Sequence, residues 1–232
     1  MISNEGLLGL LIVGISAGMA LFFTLRRQRR EAAFRAIPAL QRLRQEIDQS
    51  IENGTRLHLS LGNAGITQPD NASALAGLAA LQGMAQRARL SDLPPLATSG
   101  EGTLAILSQD ALKAIYQETG VPEQYHPDQG RLVGVTPLSY LAGAIPLMHG
   151  RRISANVLIG HYGPEIALLA EAAEHADAFT LAASDALPAQ AVLYAAAEEP
   201  LVGEELFAVP AYLQERPAYQ ASLNLQDVLR WI

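Results

Sequence analysis

Leu7 to Leu25 is an apolar run without one charged residue, and its polar members are Ser16 and Thr24. A helix of that length is about 28 Å long, close to the ~30 Å hydrocarbon layer of a bilayer, so the run predicts a transmembrane helix. A second pattern follows. Phe34, Ile37, Leu40, Leu43, Ile47 and Ile51 recur at steps of three or four and predict one apolar stripe on a helix over Glu31–Glu52. Pro38 is expected to kink that rod or divide it, Asn53-Gly54 to end it, and Arg42 and Arg44 to face solvent. The stripe needs a surface to pack on, and its own domain is the simplest one.

Beyond Gly54, short strand-like runs alternate with helical stretches. Arg56 to Leu61 has period two, as a strand with one drier face should. Thr67-Gln68-Pro69-Asp70 is expected to open a helix running to about Leu90, and Pro95 to Thr98 reads as a second strand. Leu132–Val135, Asn156–Ile159, Phe179–Ala182 and Val192–Ala195 are further apolar strand candidates. Helix starts follow at Thr136-Pro137 and after Gly163, and the end of the chain reads as helical pieces broken at Pro210 and Pro217. This alternation predicts an α/β fold: a Rossmann-like, mostly parallel sheet with helices on both faces, following the transmembrane helix. The expected organisation is an anchor over 1–25, a juxtamembrane amphipathic helix over 26–54 and a cytoplasmic α/β domain over 55–232.

Charge changes the picture more than composition does. Residues 26–56 hold eight arginines against four acids, whereas from 57 onward eight basic residues face eighteen acidic ones. So acidic a body repels polyanions, which excludes nucleic acid as its natural partner. Arg26, Arg27, Arg29 and Arg30 follow the apolar run, while Glu5 precedes it. Secretory signal peptides carry their positive charge in front, so a retained single-pass anchor is expected. By the positive-inside rule its N-terminus lies outside and the body lies on the cytoplasmic side of the cell (inner) membrane. Gly14 and Gly18 form a small-xxx-small pair through which two such helices could associate.

Signals for chemistry are sparse. The chain has no cysteine and one lysine, Lys113, so thiol chemistry and a Walker A loop are excluded. Three glycine-bearing turns follow strand candidates: Gly62–Gly65, Ser99–Thr103 and Gly160–Gly163. In an open parallel sheet such turns line the ligand crevice, which makes Asn63, Ser99, Gly100, Gly102, Thr103, His161 and Tyr162 the ligand-binding candidates. Glu101 places a negative charge where a phosphate would sit. Neither Ser99 nor Ser184 lies in G-x-S-x-G, and the five histidines have no metal-ligand spacing. No catalytic residue, metal or cofactor is therefore expected.

Several blocks carry a resemblance. Arg56–Gly62, Ala74–Leu78, Thr98–Thr103, Asn156–Gly160 and Gly203–Ala208 resemble an uncharacterised family of bacterial membrane-anchored proteins, a domain of unknown function best represented among Chloroflexota. The resemblance implies membrane anchoring and supplies no reaction. Similar proteins often continue past a block like Gln226–Arg230 into more membrane helix, so a chain ending at Trp231-Ile232 is expected to be a shorter member or a truncated one. The expected function is a membrane-tethered, non-enzymatic scaffold or subunit, bound to the lipid bilayer, that forms a homo-oligomer or joins a larger membrane complex. The alternative is a small-ligand or nucleotide-sensing Rossmann-like domain.

Overall fold

The computed structural model describes residues 4–27, 35–68, 71–150, 152–214 and 216–230. The chain divides into two compact units, one made of residues 1–36 with 214–232 and the other of residues 37–213. Helix α1 (Asn4–Arg27) opens the first unit, and its Gly6–Leu25 stretch is long and apolar enough to cross a membrane.

The second unit begins where Pro38 forces a break. Arg35 to Ile37 are not helical, Ile37 is extended, and α2 (Pro38–Glu52) starts with the proline in its first turn. A proline there loses no helical hydrogen bond, and its ring keeps the preceding residue out of the helical region. The described helix thus begins at Pro38; the stretch 28–34, with Phe34, lies outside the described residues. Six parallel strands follow: β1 (Arg56–Gly62), β2 (Leu96–Ser99), β3 (Gly130–Leu132), β4 (Ile153–His161), β5 (Phe179–Ser184) and β6 (Glu199–Leu201). Their spatial order is β3-β2-β1-β4-β5-β6. This is the doubly wound order of dinucleotide-binding α/β folds. Helices α3 (Asn71–Arg87) and α4 (Gly102–Glu118) cover one face with α2 and α8 (Glu205–Leu213). The other face carries α5 (Pro137–Gly150), α6 (Ala167–His175) and α7 (Leu187–Ala196).

Several elements differ from the pattern expected. Val192–Ala195 lies inside α7, where Leu193 packs inward; the sixth strand is instead Glu199–Leu201. Such a strand can hold Pro200 because it has a single neighbour and needs half a ladder. Helix α3 starts at Asn71, so Thr67 stands in the preceding turn; Pro69 and Asp70 lie outside the described residues. The third strand starts two residues early, at Gly130, and Val133 N–H still reaches the Ser99 carbonyl at 3.1 Å.

The apolar stripe of α2 does pack on its own domain. Leu40, Leu43 and Ile47 are buried in one core with Leu57, Leu59, Leu61, Val157 and Ile159. Arg42 is exposed, as expected, and Arg44 half-buried, and both are tied to neighbours. Arg42 pairs with Glu198 and Glu199 and lies 5.3 Å from the centre of the Phe179 ring, and Arg44 donates to the Tyr212 carbonyl.

In the first unit, α1 runs against α9 (Pro217–Leu229). Ser16, Met19, Ala20, Phe23 and Thr24 are half-covered, and at 100° per residue they form one side of α1. Gly14 and Gly18 fall on the opposite side, and a Cβ on either would meet nothing within 4 Å.

Candidate functional site

The crevice of an open parallel sheet lies beyond the carboxyl ends of its strands, at the point where successive connections leave on opposite faces. Here that point is between β1 and β4. The pair runs Ser60 opposite Leu158, then Gly62 opposite His161, so β4 gains one residue and bulges. A bulge re-aims the side chains that follow it. Glycines make this geometry possible. Gly62 has φ +75°, in the left-handed region, and a Cβ there would press on the His161 backbone. A Cβ on Gly160 would fall on the Leu61 carbonyl. Beyond the bulge, His161 Nδ1 lies 2.8 Å from Asp185 Oδ1, and Asn63 N–H donates to the His161 carbonyl at 3.0 Å. The imidazole and carboxylate, 37% and 21% exposed, are half-sunk in the rim.

Directly below lies a buried polar chain. The sheet face bearing His58, Ser60, Thr98 and Asn156 is closed over by α5 and the turn after β4, so all four are fully buried. The drier-face expectation for β1 therefore fails on its polar side: Tyr140 and Tyr162 provide partners that water would otherwise supply. Tyr162 donates to the Ser60 carbonyl at 2.6 Å, with Ser60 Oγ at 2.9 Å. Ser60 and Tyr140 share a hydrogen bond, and the Tyr140 oxygen lies 3.0 Å from Thr98 Oγ1. His58 spans the next gap, Nε2 at 2.8 Å from Thr98 and Nδ1 at 2.6 Å from Asn156 Oδ1. Burial pushes the His58 pKa down to about 4, so the ring is neutral at pH 7. Its single N–H then goes to Asn156, Nε2 accepts from Thr98, and every hydroxyl has one direction in which to donate. The same burial raises the pKa of both tyrosines.

The helix ends that could hold an anion are already answered by this chain. Glu101 is the N-cap of α4; its carboxylate accepts from Leu104 N–H at 2.9 Å and from the Thr103 hydroxyl at 3.0 Å. Burial opposes the charge, but those donors outweigh it and hold the Glu101 carboxyl below the usual range. Gly163 N–H donates to Glu165 at 3.2 Å, and Ala186 N–H to Ser184 Oγ at 3.2 Å. Replacing Glu101 by alanine is expected to cost about 1 kcal/mol, read as a lower thermal midpoint; an unchanged midpoint would contradict the cap.

Of the residues expected to bind a ligand, Asn63, Gly100 and His161 meet at the rim: the Asn63 carboxamide sits where a Cβ of Gly100 would stand. Ser99 is buried, with its hydroxyl donating to the Glu101 carbonyl at 3.0 Å. Thr103 serves the cap, Gly102 opens α4, and the Tyr162 hydroxyl points down into the buried chain. Asp185 and Asn156 escape sequence reading. An aspartate just after a strand and an asparagine inside an apolar strand were the signals, and neither names its partner. Ser99 and Ser184 bond to backbone, not to imidazole. Among the described residues no group of three His, Asp or Glu could hold a metal ion. Two surface depressions, about 630 Å³ along β3 and α5 and about 280 Å³ beside α6 and the end of α7, lie away from this crevice.

Comparison with curated proteins and with solved structures returns no match. The pattern of one family, a domain of unknown function (DUF6754), matches residues 3–232. That extent takes in both units, from the apolar helix to the last helix. The chain belongs to the DUF6754 family.

Proposed function

We propose that this protein is a membrane-tethered, non-enzymatic module of the cell (inner) membrane that self-assembles or joins a larger membrane complex. In this reading α1 spans the bilayer once, its N-terminus outside, and residues 37–213 form a cytoplasmic domain. The arginines that follow the apolar run support that orientation. A bacterial source and retained anchoring are what the resemblance to membrane-anchored proteins implies.

The observation that carries assembly is the position of Gly14 and Gly18. They lie on the side of α1 opposite the half-covered one, both exposed. Small residues on an open face let helix backbones approach closely in lipid, where no hydrophobic force drives association. Sizing the detergent-solubilised chain by light scattering is expected to give a dimer or larger. Gly14→Leu with Gly18→Leu should lower that mass. A strictly monomeric, partnerless wild-type chain would overturn the reading.

The ligand-sensing alternative rests on the His161–Asp185 pair at the strand ends. Its nucleotide form is weakened because Glu101 and Glu165 already occupy the amide groups that a phosphate would use.

A further inference from the structure

Exposed aliphatic side chains of the 37–213 unit are concentrated at one end of the sheet. Ile106, Val135, Leu138, Leu168, Leu187 and Val202 are between 49% and 76% exposed. Each lies on a strand-to-helix connection or in the first turns of the helix that follows, and in a parallel sheet all of these stand at the carboxyl edge. Scattered surface aliphatics need no explanation, but a set gathered around one end does.

The charge of that end is one-sided. Glu101, Glu165 and Asp185 stand there, whereas the described arginines of this unit, Arg131 excepted, belong elsewhere. Arg56 opens β1, Arg152 precedes β4, Arg87 ends α3 and Arg89 follows it, all at the amino edge. Arg42 is held there by Glu198 and Glu199, and Arg44 binds the last turn of α8. Arg131, opposite Thr98 in the carboxyl half of the sheet, has its charge answered by Asp128. Lys113 sits late in α4.

We infer that the carboxyl edge of the sheet docks a basic helix of a partner protein, one with an apolar face bordered by lysine or arginine. Charge complementarity selects this occupant. A second copy would bring the same carboxylates against these, and an anionic lipid surface would be repelled as well. The inference deepens the reading of the chain as an assembly module, through a surface independent of α1.

The test uses the full chain in phosphatidylcholine nanodiscs, with empty nanodiscs as blank. The probe is a fluorescent amphipathic helical peptide with leucine on one face and lysine on the other, alongside a twin carrying glutamate for lysine. The basic peptide is expected to bind at least about tenfold more tightly than its twin, and Leu138→Glu with Leu187→Glu to weaken it about tenfold. Leu90→Glu, on the loop after α3, should leave binding unchanged. Equal binding of the two peptides, or indifference to the Leu138/Leu187 changes, would overturn the proposal. So would a fall in the mass of the peptide-free chain on those changes, which marks a self-interface, or lost binding to phosphatidylserine nanodiscs, which marks a lipid surface. Loss of assembly on Gly18→Leu alone bears on α1 and leaves this result standing.

Discussion

Gly160→Ala is expected to destabilise the protein by about 3 kcal/mol or more, and in detergent the full chain should melt well below wild type or fail to fold. The added methyl would fall on the Leu61 carbonyl and crowd Gly62 N, which are backbone atoms of the central strand. A side chain could rotate away; a strand paired on both sides cannot. β1 is hydrogen-bonded to β2 and to β4, so moving it breaks one ladder or the other. Against a typical total stability of about 5–15 kcal/mol, that loss is severe. Gly102→Ala is the matched control. A Cβ there meets nothing within 4 Å, and alanine in the first turn of α4 should leave the midpoint unchanged or slightly raised. Equal midpoints for the two variants would show that β1 and β4 are not in close backbone contact at the bulge.

Acidification is expected to weaken the fold through His58. Its pKa of about 4 in the folded protein lies below the 6.5 of an exposed imidazole, because burial disfavours the charged ring. As pH falls below about 6.5 the unfolded chain takes up a proton that the folded one refuses. Stability is therefore full above that pH and lost progressively down to about pH 4, by about 3 kcal/mol in all. The proton also has nowhere to go. With Nε2 accepting from Thr98, a second N–H would point two hydrogens at one contact and reverse the chain of hydroxyls back to Tyr162. His58→Gln retains a donor and an acceptor without titrating, so its stability between pH 7 and pH 4.5 should fall less steeply than wild type by about 2–3 kcal/mol. His58→Leu should be strongly destabilised at every pH, since it leaves Thr98 and Asn156 without their partner in the core. Parallel pH curves for wild type and His58→Gln would contradict this account.

Much of the architecture was legible because its causes are local. The apolar run of α1, the period of α2, and its start at Pro38 each follow from residues within a few positions of one another. So does the alternation of apolar strands with helices, which is enough to require a covered parallel sheet. Short edge strands are less legible. Glu199–Leu201 has no strand-like pattern of its own and is a strand because β5 offers it hydrogen bonds, while Val192–Ala195 has the right composition and is helical because Leu193 has a core to enter.

The crevice shows the same division more sharply. From the linear chain, Gly62, Gly100 and Gly160 mark where backbones bend or approach, and Glu101 announces that the α4 N-terminus is already negative. Which partner each polar group meets depends on strand order. His58 meets Asn156 and Thr98 because β4 and β2 flank β1, and His161 meets Asp185 because β5 lies beside β4. Periodicity and turn chemistry act over a few residues and can be read in one dimension. Strand order, and with it every contact across the sheet, is settled by how whole elements bury their faces against one another. That is why the residue sequence determined the helices, most strands and the covered sheet, while the tertiary structure alone decided which side chains share the buried chain and the rim.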